Sequence, residues 1–348
     1  MSDYSPTDLS ANRKRSMKAT AYSDGPLIDI TAAQPEPGEH DLLVAVRAIA
    51  VNPVDTKIRA KVTPPDGTHK ILGWDAVGEV LATGPAVSGF SPGDRVWYAG
   101  DVTRQGCNAE FQCVDARIAS KAPESLSDAE AAAMPLTTIT AWEMLFDRLQ
   151  VPRTEAARSR VLLVVGAGGG VGSMLIQLAR QLTDATVIGT ASRPESRQWV
   201  SDLGAHHVLD HSQSLKDELA KVGIADVSDV ACINRTEQHF DDLVAMLRPQ
   251  GRLSLIDDPS QPLNIMSMKQ KSLSLHWEFM FTRPMFGTDD ITAQQQLLAE
   301  VAGLIDQGVL RSTMGQHFGS INAANLERAH EAMKTQHTVG KVVLEGFD

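Results

Sequence analysis

The residues with the sharpest chemical implication lie where the apolar run Val161-Leu162-Leu163-Val164-Val165 enters Gly166-Ala167-Gly168-Gly169-Gly170-Val171-Gly172-Ser173 and continues directly into the amphipathic Met174-Leu175-Ile176-Gln177-Leu178-Ala179-Arg180. Glycine has no Cβ, so main-chain N–H groups at the start of a helix can approach a diphosphate closely, and the helix dipole favours negative charge there. Counted back from Gly172, the G-x-G-x-x-G frame reads Ala167, Gly169, Gly172, with alanine in the first place. A glycine triple is informative only in a strand-turn-helix context, which this one has. Gly169, Gly170, Val171 and Gly172 are the candidate diphosphate-binding residues; the alternative is a tight turn between strand and helix that binds nothing.

The next strand selects the dinucleotide. A carboxylate at its tip, about 20 residues past the glycines, would bind a ribose 2′-hydroxyl. Here Gly189-Thr190-Ala191 leads into Ser192-Arg193-Pro194-Glu195-Ser196-Arg197, with no acid at the tip. Ser192 can donate a hydrogen bond, Arg193 can offer a guanidinium to a 2′-phosphate, and Arg197 stands one helical turn on. The pattern favours NADPH over NADH, the alternative being that both arginines are solvated residues at a helix start. Asn234 and Asp257 follow the expected fourth and fifth strands, at the carboxyl ends where ligands sit in open α/β sheets. Loop polarity alone would also place them there.

These residues need a scaffold, and the sequence predicts one. From Arg160, short apolar runs alternate with helical periods: Val161 to Val165, Val171 to Leu182, Thr186 to Thr190, Glu195 to Leu203, His207 to Leu209, Asp229 to Ile233, Phe240 to Leu247, Arg252 to Ile256 and Leu273 to His276. That alternation predicts a doubly wound parallel sheet, a Rossmann domain, over 141–289. Residues 17–140 read as short strands punctuated by Gly and Pro, such as Leu42 to Ala50, Val77 to Thr83 and Arg95 to Ala99, a mostly β domain. Helices are predicted over Ala293 to Asp306 and Ala323 to Lys334, and the terminal run Lys341-Val342-Val343-Leu344 is expected to join the first domain's sheet, so 290–348 belongs with 17–140. Residues 1–16 carry no hydrophobic period and are expected to form a flexible extension.

Composition narrows the partners. The 348 residues include 32 Lys plus Arg against 43 Asp plus Glu, a formal charge of −11 that repels a phosphate backbone, so nucleic acid is not expected. Cys107, Cys113 and Cys232 make neither a disulfide framework nor a four-cysteine metal knot. With no apolar stretch of about 18 residues and no signal-peptide pattern, neither membrane nor export is expected, and a reducing cytoplasmic setting fits.

Several further segments carry a family resemblance: Met17-Lys18-Ala19, Ala50-Val51-Asn52-Pro53-Val54-Asp55-Thr56-Lys57, Leu72-Gly73-Trp74-Asp75-Ala76-Val77-Gly78, Gly93-Asp94-Arg95-Val96, Pro135-Leu136-Thr137-Thr138-Ile139-Thr140-Ala141-Trp142, the glycine turn and Gly340-Lys341-Val342-Val343-Leu344. Their order resembles the medium-chain dehydrogenases/reductases, most closely the quinone oxidoreductase branch and within it the proteins called zinc-type alcohol dehydrogenase-like. The resemblance covers nearly the whole chain from Met17. It implies an α/β protein in which a GroES-like, mostly β catalytic domain wraps a Rossmann domain, with nicotinamide and substrate between them and a homodimer as the assembly.

In the metal-dependent relatives a Cys stands where this chain has Asn52, a His where it has Trp74 and a Glu where it has Asp75. Asn and Trp are not zinc ligands, and the region from Gly93 to Val114 holds only two cysteines, so zinc is not expected. His206, His207 and His211 lie around a strand end, where i and i+4 share no helical face. Without a metal to polarise a carbonyl, the acceptor must stabilise its own charge, as quinones and α,β-unsaturated carbonyls do. The expected activity is NADPH-dependent hydride transfer to a quinone or enone. A zinc-type alcohol dehydrogenase and a non-catalytic NADPH-binding regulatory protein are the alternatives.

The resemblance puts Asn52 and Asp55 at the active site, although Asn-Pro and Asp also suit an ordinary turn. Lys57 stands where the branch often has Tyr; it could stabilise an enolate or be solvated. Trp74 offers a flat wall for a planar ring or belongs to the core. Thr137 and Thr140 resemble the segment beside the nicotinamide, or cap a helix. Lys341 could reach the cofactor from the catalytic domain, or flank a strand. The aromatic run His276-Trp277-Glu278-Phe279-Met280-Phe281 is read as a dimer edge and part of the nicotinamide wall, or as core.

Overall fold

A computed structural model describes residues 15–335 and 338–348. Strand β1 (Ser16–Tyr22) alternates at its start, with Ser16 and Lys18 exposed and Met17 and Ala19 buried, and is enclosed on both faces from Ala19 to Tyr22. It pairs antiparallel with β2 (Ile28–Ala33). The extension expected over residues 1–16 lies outside the described residues as far as Lys14; at its inner end it is corrected, because β1 already begins at Ser16. Next come β3 (Asp41–Val51), helix α1 (Pro53–Lys61) and β4 (Lys70–Ile71), which returns to β1. Strands β5 (Ala76–Thr83), β6 (Arg95–Tyr98), β7 (Phe111–Asp115) and β8 (Ala119–Lys121) extend the sheet begun by β3.

Two short helices then lead out of this half: α2 (Asp128–Ala132), with a capping box of Ser127 and Glu130, and α3 (Pro135–Trp142), which starts on a proline and runs on as a π-helical turn over Glu143–Arg148. The parallel sheet follows. Its strands are β9 (Val161–Val165), β10 (Thr186–Thr190), β11 (His207–Leu209), β12 (Val227–Cys232), β13 (Leu247–Leu255) and β14 (Ser274–Trp277), in the spatial order β11-β10-β9-β12-β13-β14. Between them run α4 (Gly170–Leu182), α5 (Pro194–Asp202), α6 (Leu215–Lys221) and α7 (Thr236–Met246). Successive residues of β9 feed different cores: Leu162 and Val164 join one cluster, Leu163 and Val165 the other, so the strand is apolar throughout.

After α8 (Thr282–Phe286) and α9 (Ala293–Asp306), the chain returns to the first sheet with β15 (Met314–His317), α10 (Ala323–Lys334) and β16 (Lys341–Glu345). Strand β16 pairs antiparallel with β3 and parallel with β15. One buried cluster runs from Val343 and Trp74 through Met134 and Ile139 to Met174 and Leu175, so α3 cements the mixed sheet to the first helix of the parallel one. No helix among the described residues is long and apolar enough to cross a membrane.

Beneath β14 lies a buried acid pair. Glu143, at the end of α3, and Glu278, just past β14, are close neighbours and almost wholly enclosed. Arg148 Nε donates to Glu278 Oε2 at 2.7 Å, and Arg283 pairs with Glu143 at 2.5 Å. Two adjacent carboxylates disfavour each other's ionisation, which Arg148 and Arg283 only partly offset. Burial and the neighbouring Glu143 push Glu278 up to about 9, so the pair holds one proton at neutral pH. A carboxyl raised on folding contributes stability that is complete below its unfolded value and is lost as pH rises through the folded one. The urea midpoint is therefore expected to fall between pH 7 and about 9.5, and to fall less steeply in Glu278→Gln, which mimics the protonated acid. Parallel slopes would refute the shared proton.

Candidate functional site

The glycine turn closes β9 onto α4. A β-carbon on Gly172 would lie 2.5 Å from Ala167 Cα and 2.6 Å from the Gly166 carbonyl oxygen, so glycine is required there by close packing alone. Gly169 differs: its nearest neighbour would be at an ordinary 3.8 Å, so the protein's own packing does not demand a glycine. Its bare backbone is the N-cap of α4, and the first-turn N–H groups of Gly170, Val171 and Gly172 have no acceptor within the helix. The donor set and the cradle suit a dinucleotide diphosphate.

The last strand meets this turn. Gly340 N donates to Gly168 O at 3.1 Å, and Gly169 and Gly340 form a parallel bridge. A β-carbon on Gly170 would lie 2.6 Å from Lys341 Cδ and 2.8 Å from Thr137 Cγ2. The Lys341 stem and Thr137 thus lie against the turn itself.

From there Lys341 reaches inward. Its ammonium donates to Asn52 Oδ1 and, at 2.7 Å, to Asp75 Oδ2; Asn52 Nδ2 donates to the same Asp75 oxygen at 2.9 Å. The other Asp75 oxygen accepts Leu136 N–H at 2.7 Å, at the start of α3. All three side chains are buried, and burial holds the Asp75 carboxyl above its usual range against the pull of Lys341. Asp55 completes the group: its Oδ2 accepts Asn52 N–H at 2.7 Å, forming with Asn52 the capping box of α1. Burial pushes Asp55 up to about 7, opposed by its bonds to Asn52 N–H and Gly73 N–H and by the Lys341 charge.

Several expected roles change. Trp74 is completely enclosed, donates Nε1–H to Asp101 O at 3.1 Å and meets Phe281 edge-on at 6.2 Å; it has no open face to serve as a wall. Lys57 stands away from the buried group, on α1, paired with Asp258 at 3.2 Å. Arg197 turns its guanidinium to the carbonyls of Ala191 and Val208, at 3.2 and 3.0 Å, so it ties β10 and β11 together and is not a second phosphate cation. Asp257 accepts both the N–H and hydroxyl of Thr236 at the head of α7, a capping role. The Lys341 ammonium faces Asn52 and Asp75, and only its stem faces the turn. Ser192 and Arg193 remain half-buried at the tip of β10, with Arg193 the N-cap of α5. Asn234 lies beside Gly166, whose β-carbon would be 2.8 Å from Asn234 Oδ1. Thr137 and Thr140 donate to the carbonyls of Met134 and Leu136 within α3. At the expected dimer edge, β14 is the outermost strand, with Trp277 and Phe279 about half exposed.

The residues do not fit a catalytic zinc. The Asn52 amide and Asp75 carboxylate already share an ammonium, and the Trp74 indole nitrogen donates elsewhere. His206 Nδ1 accepts Val187 N–H at 2.9 Å and its Nε2 meets Arg180, while His211 Nδ1 meets Thr190 Oγ1. Among the described residues no group of three or more His, Cys, Asp or Glu side chains is placed to hold a metal ion.

Comparison with known proteins agrees with this architecture. Residues 38–124 match the family model described as alcohol dehydrogenase GroES-like domain, and residues 203–344 the one described as zinc-binding dehydrogenase. A zinc-type alcohol dehydrogenase-like protein of Staphylococcus aureus (strain MSSA476) is 37% identical over 313 residues, which span 89% of this chain and 92% of the relative. Among solved structures, a Rhizobium etli CFN 42 protein provisionally named a zinc-dependent alcohol dehydrogenase superposes with a TM-score of 0.92 at 50% identity, covering 97% of this chain and 100% of that one. The Escherichia coli quinone oxidoreductase, solved with NADPH, gives a TM-score of 0.77 at 25% identity, over 95% of this chain and 100% of that one.

The enclosed Asp55 supplies a test of the geometry. Its carboxyl should titrate near 7 in a carboxyl-carbon NMR titration of aspartate-labelled protein, and the signal should vanish in Asp55→Asn. Because folding raises this group, its stabilising contribution is complete below the ordinary carboxyl range and is lost as pH rises through about 7. A spectrum whose every aspartate titrates below about 5 would contradict the buried arrangement.

Proposed function

The chain belongs to the medium-chain dehydrogenase/reductase superfamily and is an oxidoreductase of that type, and on this premise we propose that it catalyses zinc-independent hydride transfer from NADPH to a quinone or an α,β-unsaturated carbonyl. The observation that carries the proposal is the internal ammonium of Lys341 held between Asn52 and Asp75, two of the three positions at which the family resemblance puts metal ligands. With those positions closed to an ion, the negative charge left by hydride addition must spread through the acceptor itself, as in a phenolate or enolate. Residues 17–140 with 290–348 form the catalytic part of this reading, and residues 141–289 the dinucleotide part. The assembly is a homodimer joined at β14.

Bound NADPH would supply the hydride; the protein's share is binding and orientation. Gly169, Gly170, Val171 and Gly172 hold the diphosphate with main-chain N–H groups. Ser192 and Arg193 receive the 2′-phosphate. Thr137, against Gly170, and Asn234, beside Gly166, flank the path from diphosphate to nicotinamide. Asn52 and Asp55 shape the loop on the acceptor side.

The relatives named zinc-type keep one competing reading open to experiment. Metal analysis that finds one tightly held zinc per chain would overturn the proposal in favour of an alcohol dehydrogenase. NADPH oxidation assayed with a panel of quinones and enones should show turnover; tight NADPH binding with no turnover on any acceptor would favour a binding module. Arg193→Ala should weaken NADPH binding by about tenfold or more and leave NADH nearly unchanged, the scale of one charge-assisted hydrogen bond. Equal losses for both dinucleotides would remove Arg193 from the 2′-phosphate site.

A further inference from the structure

Lys341 has only 4% of its surface exposed, yet it bears a long, flexible cation. Such a side chain is rarely buried unless each part of it is fixed. Here its two ends touch different functional regions. The stem fills the space that a side chain on Gly170 would need, next to Thr137. The ammonium, four methylenes away, bonds Asn52 and Asp75, 289 and 266 residues distant in sequence. The surroundings close this into a ring of contacts. Gly340 is bonded to Gly168 on the dinucleotide turn, Asp75 is bonded to Leu136 N–H at the head of α3, and α3 carries Thr137 back to Gly170.

We propose that Lys341 is a positioning residue for hydride transfer: its ammonium holds Asn52 and Asp75 in register, and its stem couples their placement to the seating of the dinucleotide turn. This rests on the hydride-transfer reading above. The ammonium is turned to Asn52 and Asp75, and only the stem lies against the glycine turn. It acts through Asn52, which orders the acceptor-side loop at the start of α1, and through Asp75, which orders the start of α3. A monovalent organic cation cannot polarise an acceptor as an ion with an open coordination position does, but it can hold two side chains in register. Errors of about 1 Å in such registers cost about 100-fold in rate.

Two substitutions separate the two ends of the side chain. Lys341→Met keeps the stem and removes the charge; it should leave the NADPH dissociation constant within about twofold and lower kcat by about 10- to 100-fold. Lys341→Ala removes both, and should weaken NADPH binding several-fold further. The single variants leave Asp75 buried without its partner and could unfold, so Asp75→Asn/Lys341→Met is the control. Replacing both members of a buried pair by neutral groups is often tolerated where removing one is not. The double variant should recover the thermal midpoint while kcat stays low. Recovery of kcat along with stability would reduce Lys341 to a structural strut, and unchanged kcat in Lys341→Met would overturn the proposal outright. NADPH affinity, measured by fluorescence without acceptor, keeps this result separate from the reaction assignment. If the wild-type protein turns over no quinone or enone, the hydride-transfer reading fails, yet equal NADPH affinities for Lys341→Met and Lys341→Ala would independently refute the coupling through the stem.

Discussion

One buried charge pair organises this molecule. Taking an ammonium and a carboxylate out of water costs several kcal/mol for each ion, so a pair such as Lys341 and Asp75 persists only where geometry and extra hydrogen bonds compensate both. Every compensation here is also a structural constraint. Asn52 binds both ions, which fixes the end of β3 and the start of α1. Leu136 N–H binds the far oxygen of Asp75, which fixes the start of α3. Lys341 itself begins β16, which is fixed against β3 and, through Gly340, against the dinucleotide turn. The sheets are thereby joined at the point where the family places its chemistry, by contacts that leave little freedom to slide.

The dinucleotide turn depends on the same joint. In an isolated βα turn, five glycines would only add disorder, since glycine loses the most freedom on folding. Four of them have close neighbours: Gly172 has Ala167, Gly170 has Lys341 and Thr137, Gly168 has Ser196 at 3.3 Å from a β-carbon, and Gly166 has a positive φ of 87° and the nearby Asn234. Gly169 is explained by none of these. It is the position at which an absent side chain benefits an external anion and not internal packing.

The strands β9, β10 and β11 and the helices α9 and α10 stand at the residues expected from sequence. The parallel strands were legible because both faces are buried, so their residues form unbroken apolar runs bounded by glycine or polar turns. The shorter strands of the first half, β1, β2 and β8, carry polar residues such as Lys18, Asp29, Thr31 and Lys121 on exposed positions, and a run of three to seven such residues has no distinctive period. Helix α1 hid for a different reason. Its only fully buried side chain is Asp55, so it lacks an apolar stripe, and Asn-Pro-Val-Asp suits both an ordinary turn and a helix start with proline at the first position. The glycine turn was visible as a local pattern, but partner choice is not local. Nothing near Lys341 in sequence indicates Asn52 or Asp75, and nothing near Trp74 indicates that Phe281 and the Asp101 carbonyl would enclose it.

An internal ammonium between Asn52 and Asp75 bears on what the site can do. A divalent ion with an open coordination position binds the substrate oxygen directly and stabilises the charge that develops there. The Lys341 ammonium is turned instead toward Asn52 and Asp75, whose own needs it satisfies. On the proposed reading, what remains is a frame with a cradle for a dinucleotide and, among the described residues, no metal-ligating group beside it. A simple ketone would receive little help there, because its alkoxide concentrates charge on one oxygen. A conjugated acceptor distributes that charge over several atoms, so precise placement beside the nicotinamide contributes proportionally more to its rate than electrostatic stabilisation does. On the hydride-transfer reading proposed above, Asn52 and Trp74 thus favour acceptors that carry their own electron sink.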